Sequence, residues 1–139
     1  MEKKDLKPAG VFKYFEEICQ VPRPSKKEEK MIAYLKAFGA KHNLETKVDE
    51  AGNVLIKKPA TPGKENLQTV VLQSHIDMVC EKNNDVQHDF LTDPIETEID
   101  GEWLKAKGTT LGADNGIGVA TELAILADDS IEHGPTGCM

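Results

Sequence analysis

Apolar positions recur at helical spacing near the start of the chain. Val11, Phe12, Phe15 and Ile18 predict a helix from Pro8 to Cys19, with Pro8 suited to a first turn. Val21-Pro-Arg-Pro24 stops it, because each proline disfavours helix in the residue before it. Ser25-Lys-Lys-Glu28 reads as a capping box, with the serine capping free amides and Glu28 reaching back. The helix it opens runs to about His42, with Met31, Ile32, Leu35 and Phe38 on one stripe. His42 falls near the helix C-terminus and reads as a surface residue.

The pattern then shortens to strand-length runs. Leu44 to Val48 and Val54 to Lys58 predict two strands joined by a hairpin turn at Glu50-Ala-Gly-Asn53. Pro59 to Gly63 predicts a surface loop, and residues 69–74 a buried strand, since the run is continuous, apolar and β-branched. Val79 to Pro94 is polar and aperiodic, a long loop in which His88 reads as exposed. Ile95 to Ile99 and Trp103 to Ala106 alternate around Asp100-Gly101 as a further hairpin. From Gly116 to Ala127 the pattern is helical again, with Ile117, Ala120, Leu123, Ala124 and Ala127 on one face. Interleaved helices and strands make this an α/β chain, and its length allows one domain at most.

Composition narrows the function classes. A net charge of −7 argues against nucleic acid as a partner. The charge is uneven: residues 1–70 balance at +4 and residues 71–139 at −11. The acidic part is either a solvated face or a region suited to cations. Three cysteines, Cys19, Cys80 and Cys138, lie far apart without a CxxC, which suits a reducing compartment. No run approaches the ~20 apolar residues of a membrane span. The expectation is a cytoplasmic, soluble chain.

The candidate chemistry lies in that acidic part. Thr69-Val-Val-Leu-Gln-Ser-His-Ile-Asp77 ends in His-x-Asp, and strand alternation puts His75 and Asp77 on one side. An imidazole at a strand's C-terminal end can bind a metal, with a nearby carboxylate fixing its tautomer. His-x-Asp alone also suits a polar strand end running into a loop. Leu111-Gly-Ala-Asp-Asn-Gly-Ile-Gly118 adds glycines around Asp114, just before a helix N-terminus. By itself Asp114 there is an ordinary cap, and the glycine spacing is not a dinucleotide fingerprint.

Leu72-Gln-Ser-His-Ile-Asp-Met-Val79, His88-Asp-Phe90, Asp93-Pro94 and Gly108-Thr-Thr-Leu-Gly-Ala-Asp-Asn-Gly-Ile-Gly118 together resemble the carboxypeptidase G/aminoacylase-like zinc peptidases, their dipeptidases in particular. Ile18 to Ser25 and Gly52-Asn53 fit as well. The resemblance implies the N-terminal part of a mixed-sheet catalytic domain with flanking helices. It implies hydrolysis of unblocked dipeptides, Xaa-His among them, with a tripeptidase or an N-acyl amino acid deacylase as sibling activities. Two zinc ions per subunit are implied, with Mn or Co as substitutes. His75 resembles the ligand of one zinc, Asp114 the aspartate bridging both, and Asp77 the catalytic-site carboxylate that orients His75. A cis peptide bond between Asp114 and Asn115 is implied too.

The chain departs from the family where a strand ending in Glu-Glu is expected. Thr136-Gly-Cys-Met139 stands there instead. The general base and a metal ligand belong to that pair. The expectations are therefore an incomplete site over residues 1–139, a non-catalytic chain with weak cation binding as the alternative to an enzyme, and self-association through uncovered sheet or helix surface.

Overall fold

A computed structural model describes residues 1–139. After a single 3-10 turn at Lys3–Asp5, helix α1 spans Ala9–Cys19 and buries Tyr14, Phe15, Ile18 and Cys19. Helix α2 spans Glu29–Lys41 and buries Met31, Leu35 and Phe38, three of the four residues of its expected stripe. Its entry differs from the capping box. Lys26 takes a positive φ of 69°, and its amide donates to Glu28 Oε1 at 2.8 Å. The helix has no side-chain cap on its first amides. Ser25 is turned away to a tertiary partner, described below. His42 is half-buried, its ring 4.4 Å from that of Phe38. It is therefore less exposed than its place at a helix end suggests.

Strands β1 (Glu45–Val48) and β2 (Val54–Lys58) form the expected hairpin, registered Val48 to Val54 at the turn. Asp49 organises that turn by accepting the amides of Ala51 and Asn53, each at 2.9 Å. Strand β3 is shorter than expected, Val70–Leu72, and strands β4 (Thr97–Asp100) and β5 (Trp103–Ala106) pair as a separate two-stranded sheet. Helix α3 spans Ala113–Ala127 and packs on α1. Strand β6 (Thr136–Cys138) was not expected from its pattern. It pairs antiparallel with β2 and parallel with β3, giving a mixed sheet in the order β1-β2-β6-β3.

That order corrects the reading of residues 69–74. Strand β3 pairs on one side only, and Val70 and Val71 are 54% and 55% exposed. The apolar run is an edge strand, because tertiary placement rather than composition sets which strand is covered. The core instead gathers α1, α2, β2, α3 and Cys138 of β6. Lys58 at the end of β2 is buried, and its Nζ donates to the carbonyls of Ile125 and Asp128 at 3.1 and 2.9 Å. A cation is thus placed at the C-terminus of α3, where unpaired carbonyls and the helix dipole favour it.

The face of α3 is corrected at Ile117 alone: of the expected residues Ala120 and Leu123 are buried and Ala124 and Ala127 pack half-buried against the core. Gly116, Val119, Ala120, Glu122, Leu123 and Leu126 are buried, whereas Ile117 is outward. His88 is half-buried against Phe90, ring centroids 4.4 Å apart, rather than free on its loop. No helix is long and apolar enough to cross a membrane.

Candidate active site

His75 and Asp77 lie just past the end of β3, and Asp114 lies at the entrance of α3. The three meet. His75 Nδ1 is 3.0 Å from Asp77 Oδ1, and Nε2 is 3.0 Å from Asp114 Oδ1. The imidazole is thus held between two carboxylates that are 37 positions apart in the chain. The hydrogen bond that Asp114 accepts is the main reason the His75 pKa is raised, with Asp77 adding to it and partial burial opposing. The Asp77 carboxyl is held below its usual range, chiefly by a hydrogen bond from Ser25 Oγ and then by His75. The His75 side chain is 52% exposed and that of Asp114 97%, so the site opens to water.

Helix α3 begins irregularly, and that irregularity frees Asp114. Asp114 and Asn115 have non-helical dihedrals, and the peptide bond between them is cis. Asn115 Oδ1 accepts the Gly118 amide at 3.1 Å. Asn115 therefore performs the cap that the sequence suggests for Asp114, and the Asp114 carboxylate turns to His75.

Arg23 was not among the residues singled out. It is 2% exposed, and its Nη2 donates to Gly112 O at 2.8 Å. Its Nη1 lies 3.3 Å from Ile76 O and 3.4 Å from Asp77 O. One buried guanidinium thus bridges the two segments that carry the site, using the fork of donors that distinguishes arginine from lysine. Two of the three glycines of the Leu111–Gly118 stretch follow from this. Gly112 has φ +74°, and a Cβ there would stand 2.5 Å from Arg23 Nη2; one at Gly116 would stand 2.7 Å from the same atom. The signal that could have found Arg23 was an arginine between two prolines in a stretch already noted for matching the family.

The donor set is partial. A separation of 3.0 Å lets His75 Nε2 and Asp114 Oδ1 share one cation at the ~2.0–2.2 Å usual for zinc. No third His, Cys, Asp or Glu joins them in a metal-binding group. A catalytic zinc normally takes three protein ligands, so these residues fit as two members of a larger set and do not make a zinc site alone. Beside them a cleft of about 410 Å³ runs between α2, the β1–β2 turn and α3, lined in part by Ser74, His75, Asp77 and Glu122.

The chain is a mixed sheet flanked by helices, with an imidazole between two carboxylates at the sheet end, and the solved structures it resembles are α/β peptidases. The particular relatives are dipeptidases. Over 134 residues the chain is 52% identical to the cytosol non-specific dipeptidase of Escherichia coli (strain K12), covering 96% of this chain and 28% of that protein. Its backbone matches the crystal structure of aminoacylhistidine dipeptidase from Vibrio alginolyticus with a TM-score of 0.95 and 53% identity, covering 99% of this chain and 28% of that one. The match is to the N-terminal part of the dipeptidase fold. A tripeptidase from Staphylococcus aureus (TM-score 0.73) and the aminopeptidase PepT from Bacillus cereus (TM-score 0.75), each 22% identical and 93% of this chain covered, share the fold. No family model matches the chain. The chain therefore spans little more than a quarter of the dipeptidases it resembles, at 28% of each.

Proposed function

We propose that this chain carries part of the active centre of a metal-dependent, cytosolic dipeptidase acting on unblocked dipeptides, Xaa-His among them. The observation that carries the reading is His75 held at 3.0 Å by both Asp77 and Asp114, in a chain 52% identical to a dipeptidase. His75 and Asp114 would be two of the metal's ligands, with Asp114 in the role of the shared aspartate that the resemblance implies. Asp77 holds a proton at Nδ1 and so leaves Nε2 as the ligating atom. A zinc ion held there, or Mn or Co in its place, would supply Lewis-acid chemistry toward the peptide carbonyl and water near neutral pH.

The partial donor set supports a second statement, about the 139-residue chain itself. It binds cations weakly and does not turn over dipeptides, because it brings two ligands and has Thr136-Gly-Cys-Met139 where the resemblance places the Glu-Glu pair with the general base. General-base catalysis alone contributes roughly 10²–10⁴ in rate. The test combines calorimetric zinc titration with amino-acid release from a dipeptide panel. The expected result is weak zinc binding that His75→Ala or Asp114→Asn abolishes, with no turnover. Binding that neither substitution changes would remove both residues from the metal centre. Turnover lost in His75→Ala would show that the chain is a complete catalyst.

A further inference from the structure

The connection between α1 and α2 reaches the site at a point that no local rule requires. Ser25 Oγ donates to Asp77 Oδ2, while Asp77 Oδ1 faces His75 Nδ1 at 3.0 Å. Each oxygen of the Asp77 carboxylate thus has its own partner, and the carboxylate plane is held at two points. The chain is shaped to deliver that hydroxyl. Two positions before it, Arg23 O accepts the Met78 amide at 3.0 Å, and Arg23 ties Asp77 to Gly112 through its guanidinium. Immediately after it, Lys26 turns at φ 69°, directing Ser25 away from the first amides of α2.

We propose that Ser25 is a positioning residue: by anchoring Asp77 against His75 Nδ1 it holds the imidazole in place and biases the ring proton toward Nδ1, against the opposing pull of Asp114 on Nε2. The proposal rests on the reading of His75 and Asp114 as metal ligands only for its consequence, not for its geometry. A carboxylate freed of Ser25 can rotate about its Cβ–Cγ bond and accept water instead, and its hold on Nδ1–H weakens. Outer-shell partners of metal-bound histidines typically contribute 10–100-fold to metal affinity.

Nitrogen NMR of the His75 ring in the metal-free, full 139-residue chain tests it. The ring is assigned with His75→Ala and read where the imidazole is neutral. Wild type is expected with the proton divided between Nδ1 and Nε2, because each faces a carboxylate oxygen at 3.0 Å. Ser25→Ala should shift the population at least twofold toward Nε2–H, in the direction of the Asp77→Asn control, and Ser25→Thr should restore it. Zinc affinity should fall about tenfold in Ser25→Ala. Ser25 is exposed, so the fold is expected to survive, and thermal unfolding verifies this. Ser25→Cys, nearly isosteric and a poorer donor, gives the same comparison if alanine is not tolerated. Ring signals in Ser25→Ala that match wild type overturn the proposal, whatever happens to melting temperature. A tautomer shift in a chain that binds no zinc through His75 sustains it while removing the metal-centre reading.

Discussion

Glu122 buries a carboxyl group on α3, with Ser74 Oγ donating to its Oε2 at 3.0 Å. Burial raises its pKa, and the Ser74 hydrogen bond opposes this less strongly. The folded chain thus keeps a proton here at pH values where the unfolded chain has released it. The stability that this proton contributes is full below the ordinary carboxyl value of about 4.3 and is lost as pH rises through the higher folded value. Glu122→Gln removes the dependence. Urea midpoints for the variant should decline less than those of wild type as pH rises from about 4 to 7, and parallel curves would place the carboxyl in water. His75 makes a contrast at this scale. Its pairs with Asp77 and Asp114 are open to solvent, with a side chain 52% exposed, so they orient groups and add little to stability.

Helix α3 shows how an element can be legible while its facing is not. Ile117, Val119, Ala120, Leu123, Ala124, Ile125, Leu126 and Ala127 are apolar nearly all round the helix. A weakly amphipathic pattern defines the period and leaves the phase open. Packing on α1 decides the phase, burying Val119, Leu123 and Leu126 and leaving Ile117 38% exposed. Leu123→Ala should cost about 2–5 kcal/mol by chemical denaturation, and Ile117→Ala less than about 0.5 kcal/mol. Equal costs would contradict this facing. The α2 entrance carries a related lesson. Ser-x-x-Glu is a sound capping signal, yet Ser25 is drawn to Asp77, far along the chain, and Glu28 bonds the Lys26 amide instead.

At the scale of the molecule, β3 is the feature exposed to other chains. Its outer edge has no strand partner, and Val70, Val71 and the neighbouring Leu67 are more than half exposed. A β-branched edge without a charge, proline or bulge is a template for pairing. Self-association through this edge is our proposal for the isolated chain, with oligomers expected in sedimentation velocity as concentration rises. Val71→Lys should weaken association at least about tenfold while leaving the far-UV spectrum unchanged, since an edge lysine opposes strand pairing. A wild-type chain that stays monomeric across that range would count against the edge. The same sheet explains why β6 escaped notice. Thr136-Gly-Cys138 carries little strand propensity, and it becomes a strand because β2 and β3 offer partners on both sides.

The sequence by itself determined the elements whose signals lie within a few residues. The periods of α1 and α2, the hairpins β1–β2 and β4–β5, and the two motifs around His75 and Asp114 were all legible, because turn dihedrals and helical spacing are local properties. The motifs also carried the likeness to dipeptidases that the comparisons bear out. Only the tertiary structure decided that β3 is an edge, that β6 exists and that α3 turns Ile117 outward. It alone placed Arg23 between the two site segments and Ser25 behind Asp77. Those contacts join residues 52 to 89 positions apart. Convergence across such separations depends on how packed elements come to rest against one another, and no periodicity in a single stretch of chain encodes it.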